Sequence, residues 1–264
     1  MLRSAHKECI AAFEKGKGEI NDLLLAAAKG KLAASVAEKD VRTIVHDSRI
    51  DRATLMQAAL KCLEQAIEMA LDDGLLSREE ESTLAEYVER YSLDKDQLSR
   101  NQSYLRLVKA AILRDLLEGK VPTRATFDMT IPINFQKSEQ LIWLFQNAEY
   151  LQPRTHTTYQ GRSSGVSLRV MKGVYYRTGM FTGNPIKTTE IVTIDRGILA
   201  ITNKHLYFVG TVKSLRIPFS KIIAFQPYSD AIAVGRDGIA KQDIFKINDG
   251  WFAYNLVSSL TSLD

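Results

Sequence analysis

The chain has 264 residues, 45% of them apolar and 25% charged, with a formal net charge of +4. That balance fits a globular protein of one large or two ordinary domains and excludes an intrinsically disordered chain. Its two cysteines, Cys9 and Cys62, lie far apart, which excludes a disulfide framework or a zinc spacing and points to a reducing compartment. The charge is uneven: residues 1–120 carry 19 Lys+Arg against 21 Asp+Glu, and residues 121–264 carry 16 against 10.

Residues 1–120 follow the helical period. The N-terminal stretch meets charge and glycine before any apolar run of signal-peptide length, and the run 23–28 is too short to span a bilayer. Helices are expected over 2–28 and around 30–46. From Thr54, residues Leu55, Ala59, Cys62, Leu63, Ala66, Ile67, Ala70 and Leu71 form one apolar stripe, with Asp51 as N-cap. Ser77 and Glu80 have the spacing of a capping box, and Leu84, Val88 and Tyr91 continue that helix. Asp94 and Gln97 have the same spacing and open a segment in which Leu105, Val108, Ile112 and Leu116 share a face. Gly119 and Pro122 then form a stop signal.

Beyond Pro122 the period becomes two. Val166, Leu168 and Val170 alternate with Ser167 and Arg169. Further strands are expected at 173–178, 191–194, 198–202, 205–209, 214–218, 222–226, 231–235 and 244–247. Residues 141–150 fit a strand or a helix. Turns are expected at Gly179, at 183–185, 202–204, 227–230 and 236–238, and 161–165 reads as a hairpin tip. A last helix, capped by Asp249, carries Phe252, Ala253, Leu256, Val257 and Leu260 on one stripe. Many short strands followed by one amphipathic helix predict an α+β chain. A helical domain over 1–120 and a linker over 121–129 precede a β-barrel or sandwich over 130–264, capped by that helix.

Four words in the C-terminal half resemble bacterial pleckstrin-homology-like (PH-like) and GRAM domains. They are GILAITNKHLYF at 197–208, LRIPFSKII at 215–223, YSD at 228–230 and DGWFAYNL at 249–256. The resemblance implies a barrel plugged by its C-terminal helix and a binding role. Such domains take phosphoinositides, peptides or other subunits. The N-terminal half resembles TerB-type helical domains through ALDDGLLSREE at 70–80. That word also imitates a calcium loop, but Met69 and Leu71 stand where oxygen ligands are needed. TerB-type domains have been linked to metal through acidic clusters, for which Asp72, Asp73, Glu79, Glu80 and Glu81 are the residues here. The structural alternative is that Gly74 turns the chain, Leu75 and Leu76 pack, and Ser77 with Glu80 caps.

No catalytic constellation stands out. His6, His46, His156 and His205 are scattered, and 161–165 lacks the Gly-Lys-Ser/Thr ending of a phosphate loop. The reading is therefore a non-catalytic binding or adaptor protein without cofactor or metal, recognising a protein segment or an anionic surface. Peripheral binding to anionic lipid is the alternative, and a hydrolase assembled only by the fold is the second. The expected ligand-binding residues are Arg154, Arg162, Arg169, Lys172 and Arg177, on mobile hairpin tips. Tyr159, Tyr175 and Tyr176 lie among them and suit stacking on bases, but no RNA- or DNA-binding signature accompanies them, so nucleic acid ranks behind protein and lipid. The expected location is cytoplasmic, peripheral at the inner membrane face, with no membrane-spanning segment.

Overall fold

A computed structural model describes residues 2–72, 74, 76–124, 131–171 and 174–263, apart from the side chains of 2–7, 95 and 156–187. The chain is mixed helix and sheet and divides into two compact units, Met1–Ala125 and Thr126–Asp264. No described helix is long and apolar enough to cross a membrane.

The first unit contains helices α1 (Leu2–Ala28), α2 (Ala34–Asp47), α3 (Arg52–Ala70), α4 (Arg78–Arg90), α5 (Lys95–Arg100) and α6 (Gln102–Leu117). Local capping starts most of them. Asp51 accepts the Thr54 amide at 2.8 Å, and Ser77 with Glu80 forms the reciprocal capping box at α4. Each such cap is worth about 1 kcal/mol. The α3 stripe packs as expected, with Ala59, Cys62, Leu63, Ala66 and Ile67 buried. The segment after Asp94 departs from expectation. Asp94 caps through the Asp96 amide instead of forming a box with Gln97, and α5 ends after six residues. Asn101 then caps a separate helix through the Tyr104 amide. The restart rotates the buried stripe of α6 to Leu107, Ala111, Ile112 and Leu116, leaving Leu105 and Val108 half-buried. Gly119 ends the helix at φ 77°, where a side chain would be strained.

The second unit is one seven-stranded antiparallel sheet: β1 (Leu141–Met171), β2 (Val174–Thr202), β3 (His205–Gly210), β4 (Ser214–Pro218), β5 (Ile222–Pro227), β6 (Ala231–Arg236) and β7 (Asp243–Lys246). The strand order is β4-β3-β2-β1-β7-β6-β5, and α7 (Gly250–Thr261) follows. In a flat sheet β3 and β7 would lie roughly 14 Å apart. Yet the rings of Phe208 on β3 and Phe245 on β7 are 5.8 Å apart, and both pack on Tyr150 of β1. The sheet therefore curls around a shared interior. Helix α7 seals it with Phe252, Ala253, Leu256, Val257 and Leu260, and the Phe252 ring lies 5.1 Å from Trp143. Each of its large apolar side chains contributes about 1.5–3 kcal/mol on burial. The opposite face of the β2–β3 hairpin is covered too. Ile131, Ile133 and Phe135 pack on Leu144, Ala200 and Tyr207. That is why Leu199, Ala200, Ile201, Leu206, Tyr207 and Phe208 are all buried instead of alternating.

The largest departure lies between 152 and 192. The separate strands and turns expected there form one two-stranded arm. Gly161 pairs with Gly183 and Gly165 with Gly179, in mid-strand rather than at tips, and the chain reverses after Met171, which pairs with Val174. Pro185 sits opposite Tyr159 without breaking the ladder. A proline is tolerated there because, beyond the sheet, neither strand has a second neighbour among the described residues.

Two glycines close the shared hairpin. Gly197 and Gly210 are paired, and a Cβ on Gly197 would meet the Val209 carbonyl oxygen at 2.0 Å. Gly197→Ala should lower the stability of the second unit by about 1–3 kcal/mol through forced backbone movement. Urea unfolding followed by tryptophan fluorescence checks this, because both tryptophans, Trp143 and Trp251, belong to that unit.

Candidate functional site

Four of the five expected binding residues lie on one ribbon. Arg154, Arg162 and Arg169 lie on β1 and Arg177 on β2, all on the arm beyond the last contacts with β3 and β7. Arg154 is exposed. The side chains of Arg162, Arg169 and Arg177, and the whole of Lys172, lie outside the described residues. Eight residues separate Arg154 from Arg162 and seven separate Arg162 from Arg169. At about 3.3 Å per residue these are steps of roughly 25 Å. Only Arg169 and Arg177 approach each other, because Arg177 pairs with Ser167, two residues from Arg169. The hairpin tip expected at 161–165 is thus corrected to mid-ladder, and the basic residues follow a track along a ribbon. The reason is the unbroken register of β1 with β2. No Asp or Glu stands between Glu149 and Glu190, so the track carries a positive field along its length.

The titratable groups that come together in the second unit are elsewhere, and sequence spacing gave no sign of them. Glu139 precedes β1, and its side chain is fully buried. It accepts from the Gln136 amide at 2.6 Å, Thr202 Oγ1 at 3.0 Å, Tyr207 Oη at 2.8 Å and, in the pairing drawn here, His205 Nδ1 at 2.6 Å. Burial pushes the Glu139 carboxyl up, but these four donors outweigh it and hold the group below the usual carboxylate range. His205, one of the four scattered histidines, is a buried partner of a carboxylate 66 positions away.

Asp243 on β7 is likewise buried. Tyr150 Oη donates to it at 2.6 Å and Gln152 Nε2 at 3.1 Å, and Arg236 Nε stands 2.6 Å away as an ion pair without hydrogen-bond alignment. Burial and the Asp243 carboxylate push the Tyr150 phenol up. Asp195 accepts from the amides of Val212, Lys213 and Arg196 and from the Thr211 hydroxyl. Against a desolvation that raises it, these bonds lower its carboxyl to about 2 and fasten the β3–β4 turn. Glu139 and Asp195 are occupied by structural donors on both oxygens, whereas Asp243 takes its hydrogen bonds on Oδ1 and its Oδ2 has only the unaligned Arg236 ion pair.

In the helical unit Glu81, expected in an acidic metal cluster, pairs with Arg114 and Arg124. Glu80 closes the capping box. Asp73 and Leu75 lie outside the described residues, and among those described no group of three or more His, Cys, Asp or Glu is placed to hold a metal. Asp115 is held low, because hydrogen bonds and charge from Arg124 and the charge of Arg114 outweigh its burial. Two open grooves border these helices. One of about 550 Å³ is lined by Cys9, Phe13, Asp47 and Arg49, and one of about 390 Å³ by Lys29, Lys31, Met69 and Thr83. Cys9 is exposed and Cys62 buried, and both are free thiols.

No protein-family model, curated protein or solved structure matches the chain.

The Glu139 cluster sets a pH dependence. Its folded carboxyl titrates below the unfolded value, so its stabilisation is complete above about pH 4.3 and is lost as pH falls through the folded value. Glu139→Gln should cost about 1.5–3 kcal/mol near pH 7. The gap to wild type should narrow as pH falls from about 7 through the folded value and the wild-type carboxyl protonates. Urea midpoints of both proteins across that range measure it, and a gap independent of pH would contradict the assignment.

Proposed function

We propose that the chain is a non-catalytic binding protein whose second unit is a PH-like scaffold displaying the β1–β2 arm toward an anionic surface. The observation that carries this reading is the arm itself: a ribbon that leaves the sheet and has no acidic residue between Glu149 and Glu190. The curled antiparallel sheet with α7 packed into it supports the PH-like scaffold, and the helical unit with its Ser77–Glu80 capping box supports the TerB-like reading. A binding role is also supported by the use of Glu139, Asp195 and Asp243 as structural acceptors.

Retention on immobilised heparin tests it. The arm should bind, and the triple substitution Arg162→Ala, Arg169→Ala, Arg177→Ala should weaken binding by about 3 kcal/mol, on the order of a hundredfold. Passage of the wild-type protein without retention at low salt would sink the reading.

A second reading, recognition of a protein segment by strand addition, is supported at the other end of the sheet. Among the described residues β5 pairs only with β6. Ile223 on it is 72% exposed, and Tyr228 and Trp251, at 43% and 65%, flank its end. The start of α7 lies close against the end of β5, since a Cβ on Gly250 would meet the Tyr228 carbonyl oxygen at 1.9 Å. A partner recovered from cells through this edge should be lost with Trp251→Ala, which removes an exposed ring and leaves the core intact.

A further inference from the structure

Cross-strand partners in an antiparallel ribbon share a face, and successive residues alternate between faces. From Thr155↔Thr189 to Arg169↔Tyr175 the register is unbroken, so odd-numbered residues of both strands lie on one face. That face carries Tyr159, Phe181 and Tyr175 together with Lys187, Arg177 and Arg169. Between them stand the two directly opposed glycine pairs, Gly161↔Gly183 and Gly165↔Gly179. The other face carries Arg162 and Tyr176 among Val166, Leu168, Met180 and Ile186.

We propose that the odd-numbered face of the arm binds single-stranded nucleic acid. The inference rests on reading the arm as an anion-binding element and names its partner. Single strands are held without sequence preference by cations that track the phosphates and aromatic rings on which bases stack. This face has both. Tyr159, Phe181 (opposite Ser163) and Tyr175 (opposite Arg169) follow one another along it at intervals of roughly 13 and 20 Å. The track is thus about 33 Å long, suited to a site of several nucleotides. The glycine pairs add no Cβ to the face between the rings, and such strand glycines mark places where a ligand or backbone comes close. A duplex offers stacked bases that leave the rings unused. A bilayer would draw on apolar residues, and these collect on the opposite face.

The test uses the full chain and a labelled RNA of about 20 nucleotides and mixed sequence, read by fluorescence anisotropy, with heparin retention and anionic vesicles in parallel. The wild-type protein should bind the RNA, with affinity falling at least about tenfold between about 50 and 200 mM salt. The charge-neutral triple Tyr159→Ala, Tyr175→Ala, Phe181→Ala should lose at least about a hundredfold in RNA affinity and keep its heparin retention. Tyr159→Phe with Tyr175→Phe should retain RNA binding, because the rings remain. Leu168→Ala with Tyr176→Ala, on the opposite face, should stay within about threefold. Heparin retention without RNA binding overturns this inference and leaves the anion-binding reading standing, while loss of both overturns both. Sedimentation with vesicles but no RNA binding, or equal losses from the two faces, also overturns it.

Discussion

The pairing of β1 with β2 is the constraint on which the second unit depends. These two strands, 31 and 29 residues long, occupy the centre of the strand order. Their inner ends are flanked by β3 and β7, and their outer ends by nothing else among the described residues. One ladder therefore does two jobs. Where it has neighbours, alternate side chains enter the interior, as Tyr150 does between Phe208 and Phe245. Where no further strand pairs with it among the described residues, the composition changes to Gly, Thr, Ser and Arg. An isolated ribbon gains no burial from its neighbours, so backbone hydrogen bonds and cross-strand pairs alone hold it. At the base, register shifts near Phe145 and Tyr150 bend the ladder into the curled sheet.

That curl brings polar groups into dry places, and the fold answers most of them with donors, Asp243 Oδ2 and Arg236 Nε being left with only their mutual ion pair. A buried carboxylate is tolerated only where hydrogen bonds replace its hydration. Glu139 is the clearest case. It holds residues 131–140 against the β2–β3 hairpin, and so keeps Ile131, Ile133 and Phe135 over Ala200 and Tyr207. Without the covering segment, Ala200 and Tyr207 would face water. Without the carboxylate, the segment would have only its apolar contacts. Asp195 serves the next turn in the same way, and Asp243 ties β7 to β1 through Tyr150.

The sequence made the helical half legible because its signals are local. Asp51, Ser77 and Gly119 act on amides or carbonyls within one turn, so their roles follow from spacing alone. The miss at Asn101 has the same locality: the Asp94 word looked like a box, and the true cap lay seven residues on. In the β half, strand identity was legible but connectivity was not. Glycine and proline at 179–185 were expected to punctuate, as they do within a sheet. In an unpartnered ribbon their missing side chain or amide costs little, so the ladder runs through them. The Glu139–His205 pair was invisible for a different reason. Its members are 66 residues apart, and only tertiary structure brings them together. For the candidate site, the residue types were legible and their arrangement was not.

Arrangement decides what those cations can recognise. In the helical unit arginines are matched to carboxylates: Arg78 to Glu118, Arg106 to Glu68, and Arg124 to Asp115 and Glu81. Along the arm, Arg154 stands opposite Glu190, but Arg162 stands opposite Thr182, Arg169 opposite Tyr175, Arg177 opposite Ser167 and Lys187 opposite Thr157. Steps of roughly 25 Å between cations on β1 exceed the screening length of about 8–10 Å. Apart from Arg169 and Arg177, which approach each other across the ladder, the charges therefore act nearly independently, and they cannot all converge on one phosphate group. A partner gains from all of them only if its own charge is repeated over a comparable distance. That requirement excludes a single small anion as the ligand of the whole arm and selects an extended polyanion.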